Sequence, residues 1–426
     1  MENKKINIIL GNAVMENNGN LGCVALTISS LYLLDCLLKK KCVNYSIYLC
    51  DSWIPGVGER VLNCAEKQIA YGFCDNIYFP KVITKVKHLV KKLIGKKEPY
   101  FIQILFDTRE NMQKSLDLFK NADAILDIGQ GDSFADIYGL GRFETIDSVH
   151  VLARKLKKPY CLMPQTIGPF RNKSIMNKAK KSLECADFVM VRDKQSLDYV
   201  KQIAPSQKNV GEYVDVAFYL PYKRIEFEKS FTHVGLNISG LLWHGGYTGK
   251  NELGLSVDYQ RLIRKIIEKF LEISNVKIHI IPHVRAKEFG KDNDYLISKE
   301  LVEKHNNPRI VLAEFFKGPI EAKNYISGMD FFMGARMHST IAAFSSNTPV
   351  VPMAYSRKFN GLFLDTLHYP YMVDLKNDSE DKILDVIMNC FAERETLKAL
   401  EVEQMGSTVV EAKKKFENDL ASFLKI

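Results

Sequence analysis

A chain of 426 residues, 46% hydrophobic and 26% charged, is too long for one ordinary core and too apolar to stay disordered, so two domains of about 200 residues each are expected. A formal net charge of +9, with no RNA- or DNA-binding motif beside it, argues against a nucleic-acid partner. Nine cysteines, an odd number with no Cys-x-x-Cys pair and no His/Cys cluster at ligand spacing, read as reduced thiols of a cytoplasmic protein without a metal site.

Met1-Glu2-Asn3-Lys4-Lys5 leads straight into an apolar run over 6–10, too short for a secretory signal and read as the first strand. No apolar stretch is expected to reach the length of a membrane-spanning helix. Gly11 and Asn17-Asn18-Gly19-Asn20-Leu21-Gly22 come next, then a helix over about 24–38. Glycine there lets backbone amides approach an anion, and the helix dipole favours one, although Asn17 and Asn20 suit turn capping equally well. Gly-x-Gly-x-x-Gly is absent, so this is not a dinucleotide fingerprint.

After a strand at 46–49, Lys81, Lys85, Lys87, Lys91, Lys92, Lys96 and Lys97 interleave with apolar residues at helical spacing. The pattern predicts a basic amphipathic helix over 81–97. An ordinary surface helix packed on its own domain is the weightier reading; peripheral contact with the anionic inner face of a membrane is the other.

Strands at 124–128, 159–163 and 188–191 are uninterrupted apolar runs, as parallel strands buried on both faces would be. Each ends in a polar loop. The first loop contains Gln130, Asp132, Ser133 and Asp136; Asp132 either orients sugar hydroxyls or caps the following helix. The second is the rigid turn Pro164-Gln165-Thr166-Ile167-Gly168-Pro169-Phe170, and the third opens with Arg192-Asp193. Arg192 is either a cation facing a cleft or half of a local ion pair with Asp193 or Asp187.

A polar linker at 221–229 precedes a second alternating unit: strand 234–238, helix 259–271, strand 277–281, helix 294–303, strand 330–333, helix 339–346 and strand 349–353. Between its first two elements, 240–249 is glycine-rich and contains Trp243 and His244, the makings of a flap that stacks on a sugar. Ile281-Pro282-His283-Val284-Arg285 puts two basic side chains after a strand and a proline stop, a setting in which His283 by itself is more often structural than an acid or base. The alternation gives an α/β chain of two doubly wound Rossmann-like domains facing a cleft. Residues 1–222 form the N-terminal domain, 223–375 the C-terminal one, and 376–426 are helices that pack back on the body.

Gly334-Ala335-Arg336-Met337-His338-Ser339 is the stretch richest in chemistry. It places a guanidinium and an imidazole two residues apart where a strand gives way to a helix, a position that suits anions. Arginine can fork onto carboxylate or phosphate, and histidine is the side chain suited to proton transfer at neutral pH. Tyr355-Ser356-Arg357-Lys358 adds two cations at what would be the same edge of the sheet.

Taken together these segments resemble the polysaccharide pyruvyl transferase family from about residue 6 to 374. The likeness is carried by Asn17-x-Gly19-Asn20, Gly129-x-Gly131-Asp132-Ser133-Phe134, Pro164-Gln165-Thr166-Ile167-Gly168-Pro169-Phe170, Val191-Arg192-Asp193 with Ser196, Asp215-Val216-Ala217, Ile281-Pro282-His283, and Gly334-x-Arg336-x-His338-Ser339 with Lys358. Asn20 stands where many members have Asp, and Gln130 where many have Gly. The resemblance implies an architecture similar to B-type glycosyltransferases and a reaction between phosphoenolpyruvate and a sugar, forming a pyruvate ketal on a cell-surface polysaccharide or its lipid-linked precursor. It implies no metal and no cofactor beyond phosphoenolpyruvate as co-substrate. Arg336, Lys358 and Arg192 would bind the donor's anions, with His338 as general acid; Asn17, Gly19, Asn20, Asp132, Ser133, Gln165, His283, Arg285 and Ser339 would line the substrates. A B-type glycosyltransferase using a nucleotide-sugar is the alternative.

Overall fold

A computed structural model describes residues 5–15, 19–51, 56–64, 67–75, 99–285 and 287–426. The chain divides into two compact units: Met1–Met15 with Ser30–Tyr213 and Lys415–Ile426, and Glu16–Ser29 with Val214–Lys414. The expected helix at 81–97 and Asn17 lie outside the described residues.

The first unit holds an eight-stranded sheet of β1 (Ile6–Ala13), β2 (Tyr45–Asp51), β3 (Gly58–Cys64), β4 (Lys67–Asp75), β5 (Ala124–Asp127), β6 (Tyr160–Gln165), β7 (Phe188–Val191) and β8 (Val210–Glu212), in the order β3-β4-β2-β1-β5-β6-β7-β8. All pairings are parallel except β3 with β4. Parallel neighbours require crossovers, here through helices α1 (Leu21–Lys40), α2 (Pro99–Asn121), α3 (Gly139–Leu156), α4 (Lys173–Glu184) and α5 (Lys194–Ile203). Ile9, Ile125, Leu162 and Val189 meet Phe134, Phe143 and Phe170 in its core.

Contrary to the expectation from the sequence, α1 is long and apolar enough to cross a membrane, yet 83% of its apolar window is buried within the protein. Its hydrophobicity is that of a helix enclosed on most sides. The first nine residues of α1 belong to the second unit and the rest to the first.

The order of strands reverses between β1 and β5, and Asp127 ends β5 at that point. Its carboxylate accepts from Asn12 Nδ2 (2.6 Å) and the Gly129 amide (3.1 Å), and meets His150 Nε2 at 2.8 Å. Asn12 reaches it because a bulge in β1 puts that residue at φ 54°. His150 Nδ1 faces Asp147 at 3.1 Å, so both ring nitrogens of a fully buried imidazole point at carboxylates. Burial opposes the imidazolium, but Asp127 and then Asp147 outweigh it and push the pKa up to about 9.

A folded-state pKa raised above the unfolded value of 6.5 contributes stability that is complete below pH 6.5 and is lost as pH climbs through about 9. Urea unfolding is therefore expected to lose about 3 kcal/mol between pH 6 and pH 9.5 from this group. A His150→Gln protein should show that slope flattened; an unchanged slope would rule His150 out as its source.

The second unit holds β9 (Thr232–Asn237), β10 (Val276–Ile280), β11 (Ile310–Leu312), β12 (Phe331–Gly334), β13 (Val350–Ala354) and β14 (Val373–Asp374), all parallel, in the order β11-β10-β9-β12-β13-β14. This is the dinucleotide-fold order, with the reversal between β9 and β12, where Gly334 pairs with Asn237. The helices that position the site are α6 (Gly240–Trp243), α7 (Tyr259–Leu271), α8 (Asp294–His305), α9 (Pro319–Ile326) and α10 (Met337–Phe344). α7 coincides with the helix the sequence predicts at 259–271, and its Tyr259, Leu262, Ile263, Ile266, Ile267 and Phe270 are buried at helical spacing behind the Asp258 cap.

The unit boundary falls after Tyr213 rather than at 222, and local bonds explain it. Tyr213 donates to Asp419 (2.5 Å) and meets Phe416 edge-on, fixing the last helix to the first unit. Residues 216–220 are tied to the second unit by Lys323 of α9, whose Nζ donates to the carbonyls of Phe218 (3.3 Å) and Leu220 (2.9 Å). The helices Glu380–Ala392 and Arg394–Gln404 belong to the second unit, and only Lys415–Ile426 to the first.

Candidate functional site

The carboxyl edge of the second sheet gathers Arg336, His338, His283 and Arg285. Arg336 caps α10 one residue beyond the end of the β12 turn, and its amide donates to Asn237 Oδ1 (2.9 Å) at the end of β9. Asn237 Nδ2 in turn donates to the Ile281 carbonyl (2.9 Å), which ties β9, β10 and β12 together at their ends.

Sequence reasoning offers the Arg336 fork to a ligand; in the structure it is closed on two carboxylates. Nη2 donates to Asp292 Oδ1 and Asp294 Oδ1, each at 2.6 Å, and to the Asp292 carbonyl at 2.8 Å, while Nε donates to Asp294 at 3.1 and 3.2 Å. Burial works against this charge, but Asp294 and then Asp292 overcome it and hold the guanidinium protonated well beyond its usual range. The Asp292 carboxyl is pushed up by burial, against the pull of Arg336 and Lys358. Lys358 itself lies 5.8 Å over the Tyr355 ring.

His283 and Arg285 follow β10 two residues apart, on one side of an extended segment. Asp294 Oδ2 accepts the amides of His283 (3.2 Å) and Val284 (3.0 Å), which fixes that segment. Residues 19–21 run antiparallel to it: Val284 bridges Asn20, the Leu21 amide donates to the His283 carbonyl (3.1 Å), and the Arg285 amide donates to the Gly19 carbonyl (2.9 Å). The Gly19-Asn20 motif thus reaches the site through its backbone, while Asn20 Oδ1 accepts the Gly22 amide at 3.1 Å as a turn cap.

The side chains behave unlike ordinary buried basic groups. Both ring nitrogens of His283, Nε and Nη1 of Arg285 and Nε2 of His338 are buried with no hydrogen-bond partner among the described residues. Arg285 stacks on Phe315 at 4.2 Å from the ring centroid. Burial, then the charges of His338, Arg336 and Arg285, push the His283 pKa well down. The Arg285 N–H groups, with one N–H from each imidazole, form a set of donors without acceptors that an anion would satisfy.

His338 lies between two elements. Its Nε2 is 3.6 Å from Asp215 Oδ2, an ion-pair distance beyond hydrogen-bond range. On the other side the ring packs over the bare Cα of Gly22: a Cβ there would overlap Nδ1. Ser339 is fully buried and its hydroxyl donates to the Arg336 carbonyl (2.7 Å), a bond within the turn.

The remaining expected site residues belong to the first unit. Gln165 is buried and donates to the Asp127 carbonyl (3.2 Å). Ser133 and Gln130 accept from Arg142 at 3.0 and 2.5 Å, and Asp132 accepts from Tyr138 at 3.2 Å. Arg192, expected either as a cleft cation or as half of an ion pair, is 1% exposed and donates from Nε to Thr166 (2.9 Å). Asp193 instead caps α5, accepting the Ser196 amide at 2.7 Å. In the glycine-rich stretch Trp243 packs under the Arg264 guanidinium (5.5 Å). Among the described residues no cluster of three or more His, Cys, Asp or Glu could hold a metal ion.

Sequence reasoning missed Asp292, Asp294 and Asn237. Asp294 reads locally as the start of a helix, and only the strand order brings it to Arg336. Asp215 stands in a quoted motif without a role.

Residues 57–357 match the family model described as polysaccharide pyruvyl transferase. The chain is 22% identical over 333 residues to the amylovoran biosynthesis protein AmsJ of Erwinia amylovora, covering 74% of this chain and 75% of that one. Among solved structures it is similar to sucrose-phosphate synthase from Thermosynechococcus elongatus (10% identity, 99% of each chain, TM-score 0.57) and to MnaA of S. aureus solved with UDP (12% identity, 99% and 97% of the chains, TM-score 0.56). At such identities the likeness is one of fold, that of the B-type glycosyltransferases and related epimerases. With well over half its length matched and the motifs placed on the loops that end its strands, the chain belongs to the polysaccharide pyruvyl transferase family.

Proposed function

We propose that this protein transfers the pyruvyl group of phosphoenolpyruvate to a sugar of an extracellular polysaccharide, or of its lipid-linked precursor, as a ketal. Family membership and the AmsJ relative, named for amylovoran biosynthesis, support the class of reaction. The observation that supports the donor is the set of buried nitrogens on His283, Arg285 and His338 that have no hydrogen-bond partner among the described residues, with the charge of Lys358 felt at Asp292. Phosphoenolpyruvate has a carboxylate and a phosphate to place on such donors.

Arg336, closed on Asp292 and Asp294, serves this reading as the strut that holds α10 against the segment 283–285. The anions then fall to Arg285, Lys358 and the α10 amino end. His338 protonates the methylene carbon; a sugar hydroxyl adds to the cationic C2; a second hydroxyl displaces phosphate and closes the ketal. One hydroxyl proton restores His338 and the other leaves with phosphate, so the reaction balances without a further reactant. All nine cysteines are free thiols, compatible with a reducing compartment.

The test is phosphate release from phosphoenolpyruvate by the purified protein with galactosyl, mannosyl and N-acetylhexosaminyl acceptors, with nucleotide-sugars as rival donors. Acceptor-dependent release with a product heavier by one pyruvate ketal is expected. Consumption of a nucleotide-sugar instead would replace this reading with that of a glycosyltransferase.

A further inference from the structure

We propose that Asp215 is a positioning residue for His338: its buried carboxylate holds the imidazole with the proton on Nε2, so that Nδ1 is the nitrogen that faces the reactant. The inference rests on the pyruvyl-transfer reading for its kinetic consequence, but its geometry stands without it.

Asp215 is fully buried and closes the segment leading out of the first unit's last strand. Its Oδ1 accepts the Ala217 amide (2.8 Å), which caps the turn Val216–Tyr219, and its Oδ2 is turned to His338 Nε2 at 3.6 Å. The nitrogen it faces is itself buried and without a hydrogen-bond partner among the described residues. The His338 side chain keeps 17% of its exposure although Nε2 has none, so the accessible edge is the other one. That edge passes over Gly22, which has no side chain to collide with Nδ1.

The groups around the ring fit this division. Asp215 faces it from the segment before Val216, His283 from the end of β10, and α1 places Gly22 against it; Arg336, on His338's own turn, has its charge met by Asp292 and Asp294. Asp215 is the one carboxylate among these groups directed at His338. In the transfer step the Nδ1–H bond breaks as the C3–H bond of the donor forms. The ring keeps its Nε2 proton toward Asp215, and Nδ1 then takes back a proton from the attacking hydroxyl. The carboxylate exchanges no proton; it fixes the tautomer and the ring plane, as an acidic partner does for a catalytic histidine elsewhere.

Nitrogen NMR of histidine-labelled protein, with His338 assigned by its loss in His338→Gln, reads the tautomer directly and needs no substrate. The neutral ring is expected with hydrogen on Nε2; hydrogen on Nδ1 would overturn the proposal. The Asp215→Asn protein retains an oxygen that can cap residue 217. Its turnover is expected to drop 10- to 100-fold with KM for phosphoenolpyruvate within about twofold, and its His338 signals to show a mixture of tautomers. A wild-type tautomer and kcat in a folded Asp215→Asn protein would reduce Asp215 to a cap. Should the protein not turn over phosphoenolpyruvate at all, the tautomer result still decides the role of Asp215, so the two readings fail separately.

Discussion

His338→Gln is expected to lower turnover of phosphoenolpyruvate by 10²- to 10⁴-fold, roughly what a positioned acid contributes. Glutamine fills the space between Gly22 and Asp215 and can still donate a hydrogen bond, but it cannot hand over a proton and take one back. Donor affinity should stay within a few-fold, because Arg285, Lys358 and the α10 amino end remain. In heavy water the wild-type ketal should carry one deuterium in its new methyl group, since one of those three hydrogens comes from solvent through the imidazole. Turnover of the glutamine protein at the wild-type rate, or a methyl group with no solvent hydrogen, would remove His338 from the acid's role.

Asp294→Ala is expected to destabilise the second unit by about 3–5 kcal/mol, the range seen when one partner of a buried pair is removed. This carboxylate is fully buried and accepts from the amides of Gly240 (2.8 Å), His283 and Val284 as well as from Arg336. Its loss strands part of a buried guanidinium and three amides, with only Asp292 left to answer the charge. Urea unfolding, with hydrogen exchange over 276–284 and 331–338, measures the effect and places it. Because the same oxygens frame His283, donor binding should weaken along with stability. A change below about 0.5 kcal/mol would mean that Asp292 alone suffices for Arg336.

Much of the second unit was legible because its strands are short, apolar and sharply ended. The expected helix at 259–271 coincides with Tyr259–Leu271, and the strands around Val234, Ile278, Phe332 and Val351 lie within a few residues of their expected places. The hairpin of β3 and β4 was not read. Gly58-Glu59-Arg60-Val61-Leu62-Asn63-Cys64 alternates half-buried and exposed positions on a sheet edge, with only Cys64 buried, and its charges mask the short apolar component. Strands β11 and β14, of three and two residues, are too short to leave a period.

The site divides in the same way. Arg336, His338, His283 and Arg285 were visible as basic residues at strand ends, and the structure does bring them to one edge. Their carboxylate partners were not, because Asp292, Asp294 and Asp215 acquire meaning only from strand order, which places distant loops side by side. Arg192, which the sequence leaves open between a cation facing a cleft and half of a local ion pair, is enclosed by the neighbouring turn, where Thr166 accepts from its Nε.

Gly22 bears on how the site is assembled during synthesis. The imidazole of His338 is framed by a residue more than three hundred positions earlier in the chain, and residues 19–21 pair with a segment made more than two hundred residues later. A fragment starting at Val214 would hold every basic side chain of the site yet lack the strand that borders Arg285 and the turn that borders His338. The segment 19–21, made first, can complete these pairings only after the end of β10 has left the ribosome. Separating the two halves onto different chains would leave the catalytic edge dependent on their re-association.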